Sequence, residues 1–114
     1  MSMKLIPDVP PRKLEDKELV ARSRTADVGA FRGIAMRYYS LIYTMAYEAT
    51  GSSNQSDDLA RDTFLAAWRR LSDSREPIKL RSWLCALARE LTDDYLRRRA
   101  GIRSENQMGN SDYK

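Results

Sequence analysis

The segment Asp57–Leu71, DDLARDTFLAAWRRL, decides the fold of this chain. Its apolar positions follow the i, i+3, i+4, i+7 spacing of one α-helical face, formed by Ala60, Thr63, Phe64, Ala67, Trp68 and Leu71. The opposite face is charged apart from one leucine near its middle, and it holds Asp58, Arg61, Asp62, Leu65 and Arg69. Leu65 is therefore either a docking residue or a single exposed leucine of an ordinary kind.

Two helices are predicted before this segment. A short helix covers about Glu15–Arg24 and turns Leu19 and Val20 inward. A long helix covers about Val28–Ala49, with Asp27 as its N-cap. The apolar face of the long helix holds Phe31, Ile34, Ala35, Tyr38, Leu41, Ile42, Met45, Ala46 and Ala49.

The residues between the two central helices predict where each of them ends. Gly51 suits the C′ position after the long helix. Ser56 is predicted as the N-cap of the next helix. Asp57 and Asp58 would then lie in its first turn, where the helix dipole favours negative charge.

The last helix is predicted from near Lys79 to about Arg99, after the turn-rich loop Ser72–Ile78. Its apolar stripe holds Leu80, Trp83, Leu84, Leu87, Ala88, Leu91 and Tyr95. Because Trp83 and Tyr95 lie on this stripe, we interpret them as core residues rather than base-stacking residues.

The predicted fold is all-α, a compact bundle of three long helices and a short N-terminal helix over residues 14–100. Residues 1–13 contain three prolines and are predicted to be a flexible lead-in. Residues 101–114 are polar without helical period and are predicted to be a disordered tail or the start of a linker.

The composition favours a single packed domain and argues against a membrane protein. With 114 residues and 42% hydrophobic residues, the chain can form one core without disulfides, and its single cysteine cannot form an internal one. No apolar run is long enough to span a membrane, and the N-terminus lacks the apolar core of a signal peptide. We therefore expect a cytoplasmic protein with no membrane partner.

The residue types needed for most catalysis are missing. The sequence has no histidine, and Cys85 is the lone cysteine, so no catalytic residue, metal site or cofactor is predicted. The carboxylates of Asp57 and Asp58, like those of Asp93 and Asp94, are sequence neighbours that point about 100° apart on a helix. Such pairs cannot easily share a substrate.

Charge is distributed unevenly along the chain. The net charge is +4 with a pI near 9.4, which favours a polyanionic partner. Arginines and lysines are concentrated after residue 68, whereas Asp57, Asp58 and Asp62 cluster before it. Two differently charged surfaces indicate two different partners.

Three segments together resemble region 2 of bacterial RNA polymerase sigma factors, most closely the extracytoplasmic-function (ECF) group. They are DKELVARSRTADVGAFRGIAMRYYSLIYTMA from Asp16, DDLARDTFLAAWRRL from Asp57 and LRSWLCALARELTDDYLRRR from Leu80. Each motif is weak alone, but the three occur in the family's order and spacing over about residues 14–100.

The resemblance implies a polymerase-binding face. In this family, the exposed face of the middle helix docks on the clamp helices of the largest subunit of core RNA polymerase. The corresponding residues here are Asp58, Arg61, Asp62, Leu65 and Arg69.

The resemblance also implies contact with the promoter −10 element, where a base of the single-stranded non-template strand is flipped and held. The residues placed for this are Arg75, Lys79, Arg81 and Ser82, and those placed along the backbone or strand are Arg89, Glu90, Arg97 and Arg98.

Two positions depart from the family pattern. Arg61-Asp62 stands where the family usually has glutamine and glutamate, and Glu90 stands where it usually has asparagine. A carboxylate repels phosphate, although it can accept a hydrogen bond from cytosine N4. An alternative function is therefore a sigma-like module that binds an anti-sigma or related regulator without recognising a promoter.

Overall fold

The computed structural model describes residues 14–108, with side chains described through residue 101. It contains four helices: α1 Asp16–Ser23, α2 Val28–Thr50, α3 Ser53–Asp73 and α4 Leu80–Met108. No strand occurs in residues 14–108. The predicted all-α bundle, with one short and three long helices, is confirmed.

Helix α2 is the centre of the bundle and packs against the other three helices. It runs antiparallel to α3, because Phe31 near its start meets Trp68 near the end of α3, with ring centroids 5.1 Å apart. Further along α2, Tyr39 stacks on Phe64 at 6.3 Å. The two helices are thus joined by aromatic contacts along one side.

The core is formed by the predicted apolar faces. Its most deeply buried members come from three helices and include Ile34, Ile42, Ala60, Ala67, Leu71 and Leu84. Ala49 was predicted to be buried, and this is wrong because it lies at the rim of an open cleft between the end of α2 and α4. Trp83 and Tyr95 are half-buried rather than fully enclosed.

Helix α3 begins earlier than predicted. Its N-cap is Ser52, whose side chain accepts a hydrogen bond from the Gln55 amide at 3.2 Å. Ser56 is not a cap: it is fully buried, and its hydroxyl donates to the Ser52 carbonyl at 2.6 Å. The first turn therefore contains no acidic residue. The helix dipole does not explain Asp57 and Asp58.

Helix α4 extends to Met108, beyond the predicted end near Arg99. Gly101 does not end the helix, because it lacks the left-handed backbone conformation that ends α2 at Gly51. Among the described residues, Gly51 is the one glycine with positive φ. One glycine inside a helix costs only about 1 kcal/mol, which the good helix formers around it can offset. Residues 1–13 and 109–114, including most of the predicted flexible ends, lie outside the described residues.

The predicted N-cap and C-terminal glycine of α2 are both confirmed. The Asp27 side chain accepts a hydrogen bond from the Ala30 amide at 3.0 Å. Gly51 ends α2 in the left-handed conformation, with φ of 69°. Within residues 14–108, none of the helices combines the length and apolar character needed to cross a bilayer.

Two leucines that differ in burial test this core. Leu84→Ala should lower the free energy of unfolding by about 2–5 kcal/mol, because the deleted side chain is fully buried. Leu65→Ala is the matched control on the surface and should change stability by no more than about 0.5 kcal/mol. Denaturant unfolding followed by circular dichroism measures both variants. Equal losses of stability would contradict this assignment of the core.

Candidate functional site

The outer face of α3 carries the five residues predicted to bind polymerase, and all five are exposed. Leu65 is 52% exposed and occupies the middle of this face, one helical turn from Asp62 and another from Arg69. We call Asp58, Arg61, Asp62, Leu65 and Arg69 the α3 outer face. It presents one apolar residue within a ring of charges.

Arg61 is held by acids of its own helix. Its guanidinium lies 3.1 Å from an Asp58 carboxylate oxygen and 3.4 Å from one of Asp57. Asp62 and Arg69 form no ion pair within residues 14–101. The cation that departs from the family pattern is therefore largely neutralised, while one acid and one base remain available.

Asp57 also joins α3 to α2, because it accepts a hydrogen bond from the Tyr39 hydroxyl. This bond, together with partial burial, raises the pKa of Tyr39 to about 12. Asp57 is thus an exposed carboxylate with two partners, the Tyr39 hydroxyl of α2 and the Arg61 guanidinium of its own helix.

The loop after α3 borders a cleft of about 260 Å³. The Trp83 ring and Ile78 supply its apolar surface, and its polar residues are Arg24, Arg70, Asp73, Ser74 and Glu76. Trp83 therefore belongs to the core on one side and to this cleft on the other. A cleft with one aromatic surface and several hydrogen-bonding groups can hold a small planar polar group.

A second groove lies between α1 and the start of α4, with a volume of about 420 Å³. It brings together Lys79, Arg81 and Ser82, three of the residues predicted to contact DNA. Lys17 of α1 lines the same groove. Arg75 lies in the loop instead, where its guanidinium donates to the Ser72 and Ser74 carbonyls at 3.4 Å each.

The remaining predicted arginines are spread along α4. Arg89 borders a groove with Glu48 and Asp93. Arg97 and Arg98 lie near the end of the part of α4 whose side chains the structure describes. Both contact Asp94, at 3.3 and 2.7 Å. The hydrogen bond from Arg98 lowers the pKa of the Asp94 carboxyl. Since Arg81 and Arg98 are about 26 Å apart along the helix axis, these residues cannot form a single pocket.

Glu90 is paired across the bundle with Arg70 of α3. The two side chains meet end to end, with guanidinium nitrogens 3.5 and 3.4 Å from the two carboxylate oxygens. Both side chains are more than half exposed. The carboxylate at the position where the family usually has asparagine therefore has a cation beside it.

The comparison with known families agrees with this architecture. A profile of the family described as Sigma-70 region 2 matches residues 34–102, which is more than half of the chain. The chain belongs to the sigma-70 region 2 family. The match covers most of α2, all of α3, the loop and α4 as far as Ile102, while α1 lies before it.

Several curated proteins are similar to this region 2 chain. It is 26% identical over 83 residues to the ECF RNA polymerase sigma factor SigW of Bacillus subtilis, covering 73% of this chain and 44% of that protein. It is 30% identical over 81 residues to the ECF RNA polymerase sigma factor BldN of Streptomyces coelicolor, covering 70% and 31%.

A third relative is the probable RNA polymerase sigma factor RfaY of Xanthomonas campestris, 31% identical over 68 residues, with 60% and 17% covered. The chain thus spans less than half the length of each of these relatives. Two of the three carry ECF in their names, which agrees with the ECF resemblance of the sequence.

Sequence reasoning missed three basic residues of this region 2 domain that border its candidate sites. Lys17 and Arg24 belong to the first helix and the turn after it, and Arg70 lies in the last turn of α3. Their neighbours are 20 to more than 50 residues away in sequence, so no local spacing could have indicated them. The residues predicted to contact polymerase and DNA stay predictions.

The Tyr39–Asp57 contact can be tested by titration. Asp57→Asn removes the charged acceptor, so the pKa of Tyr39 should fall from about 12 towards its ordinary value of 10.0. The raised pKa means that the bond stabilises the fold below pH 10, and this contribution is lost as the pH rises through about 12. Tyr39→Phe identifies the tyrosine in a phenolate absorbance titration. An unchanged high pKa in Asp57→Asn would exclude the contact.

Proposed function

We propose that this chain is a transcription initiation module that docks on the clamp helices of core RNA polymerase and helps to recognise and open the promoter −10 element. The observation that supports this proposal most strongly is the α3 outer face. There an exposed leucine lies among charged residues, on a helix that the sigma-70 region 2 family match covers in full. The RNA polymerase sigma factors among its relatives support the same function.

The α3 outer face has the composition of a protein-binding hot spot. Apolar residues at the centre of an interface contribute most when a polar rim excludes water around them. Leu65 would be that centre, with Asp62 and Arg69 as rim charges that select the partner. A coiled coil offers both an apolar stripe and charged flanks, so its surface is complementary to this arrangement.

A substitution at Leu65 can test docking without disturbing the fold, because this leucine lies on the surface. Leu65→Ala should weaken binding to a clamp-helix fragment of the polymerase largest subunit by about tenfold or more, because it removes the apolar centre of the interface. Asp62→Arg should weaken it similarly through like-charge repulsion. Calorimetry or fluorescence anisotropy provides the affinities.

The matched control is Glu48→Arg, the same kind of charge reversal on the exposed part of α2 that borders α4. It should leave the affinity unchanged. Wild-type affinity in both Leu65→Ala and Asp62→Arg would refute docking through the α3 outer face.

For DNA, we propose that the extruded −10 base enters the cleft between the loop and Trp83, while the strand continues past the groove at the start of α4. The cleft offers an aromatic surface and hydrogen-bonding groups, which can offset the few kcal/mol lost on unstacking. Lys17, Lys79 and Arg81 border the neighbouring groove and supply positive charge for phosphates. Arg97 and Arg98 would meet the strand further along α4.

The electrostatic part of this proposal predicts a salt dependence. Binding to single-stranded DNA should weaken as salt rises, with about 0.7 logarithmic units of slope for each phosphate contact. Charge reversal of Arg97 and Arg98 should therefore flatten the slope by about 1.4. The control reverses Arg22 and Arg32, which gives the same net charge on α1 and α2. If both double variants had equal slopes, the end of α4 would not be a DNA surface.

The regulator-binding alternative was motivated by Glu90. Its pairing with Arg70 reduces the repulsion that this carboxylate exerts on phosphate, and so favours the promoter function. A chain that bound the clamp-helix fragment but showed no affinity for single-stranded DNA would favour the alternative.

A further inference from the structure

Arg24 makes a contact with a residue 52 positions further along the chain. It lies in the turn between α1 and α2, and its guanidinium Nη2 donates a hydrogen bond to the Glu76 carbonyl at 2.5 Å. Within residues 14–101, this is the one hydrogen bond that ties the loop after α3 to an element other than the two helices flanking it.

The turn that carries Arg24 is itself firmly held. The Arg24 amide donates to the Val20 carbonyl at 3.1 Å, and the amides of Thr25 and Ala26 donate to earlier carbonyls at 3.0 Å each. Asp27 then caps α2 through its side chain. Arg24 therefore extends from a fixed base, so its guanidinium can hold the loop in place.

The loop has few contacts of its own. Within residues 14–101, the Glu76 amide donates to the Ser74 hydroxyl at 3.1 Å, Arg75 makes two long bonds at 3.4 Å, and the Lys79 carbonyl accepts from the Trp83 amide at 2.9 Å. Pro77 has no amide hydrogen to donate. Without the Arg24 bond, the loop would be joined to the bundle beyond its flanking helices by the packing of Ile78 against the core, with no hydrogen bond from the described residues at Glu76.

A second observation concerns the rest of the guanidinium. Its Nε is buried and has no hydrogen-bond partner in the described residues, although Arg24 borders the cleft with Trp83. Burying an unpaired donor is costly. The bond from Nη2 to Glu76 is therefore the one hydrogen bond of this guanidinium among the described residues.

We propose that Arg24 is a positioning residue for DNA recognition: it holds the loop at residues 74–79 open beside Trp83, so that the cleft keeps the shape that accepts a base. This rests on the proposed function of the loop. It assigns a role in base recognition to the turn before α2, which lies outside the part of the chain matched by the family profile.

The experiment first measures the loop in the free protein. In Arg24→Gln, NMR order parameters of the amides at 75, 76 and 78 should fall from rigid values of about 0.85 to below about 0.6. Arg22→Gln is the matched control, since it removes the same charge from an exposed side chain paired only with Glu18. If the loop stayed as rigid in Arg24→Gln as in Arg22→Gln, the proposal would be overturned.

The second readout is sequence preference in a pool of short single-stranded DNA of randomised sequence. Wild type and Arg22→Gln should enrich the same base at one position, and Arg24→Gln should lose about tenfold of that enrichment. Its salt-dependent affinity for the pool should stay within about twofold, because phosphate contacts are retained. A merely structural role would lower the affinity for all sequences equally, and that result would count against base positioning.

A second variant and the relaxation data keep the outcomes distinct. If Arg24→Gln does not fold, Arg24→Lys replaces it, since lysine keeps the charge but lacks the planar fork, and the same loss of loop order is expected. If wild type enriches no base, the proposed −10 recognition fails. The relaxation data then still decide whether Arg24 holds the loop.

Discussion

Burial of α2 between the other three helices is the constraint on which this structure depends. Ile34 and Ile42 on α2 are at most 1% exposed, so the helices around them cannot rotate without opening the core. Helix α3 meets this centre through Ala60 and Ala67, both fully buried, whose small side chains allow close approach. The outward position of Leu65 follows directly, because a helix that buries one face must present the other.

Charge on the two candidate surfaces is arranged in pairs that a partner can rearrange. Arg61 contacts Asp58, Arg70 contacts Glu90, and Arg98 contacts Asp94, all on the exposed surface. Solvent screens exposed pairs of this kind, so each contributes little to the stability of the fold. A carboxylate or phosphate of a partner can therefore replace the internal acid at little cost. The pairs hold long arginine side chains close to the protein surface, but they bind them weakly enough for a partner to compete.

Local patterns were sufficient to predict the helices and their buried faces, since the apolar spacing of α2, α3 and α4 persists over several turns. The boundaries were less predictable where two residues competed for one role. Ser52 and Ser56 can both cap a helix, and only tertiary packing, which buries Ser56, decides between them. The helix predicted to end at about Arg99 continues through Gly101, because nothing at that glycine forces the backbone out of the helical conformation.

The candidate site depended more on tertiary structure than the helices did. Exposure of the α3 outer face could be predicted, because it is the complement of a buried face. The link from Arg24 to Glu76 and the pair between Arg70 and Glu90 could not, since each joins distant parts of the chain. Such contacts depend on how the helices pack, and no periodicity encodes them.

The continuity of α4 has a mechanical consequence. Its 29 residues form one uninterrupted rod of about 43 Å, and the buried face of its first half anchors that rod in the bundle. Because one continuous helix is stiff, the arginines along α4 keep fixed separations from one another. Any ligand that contacts several of them at once has to match those separations, so the helix acts as a ruler.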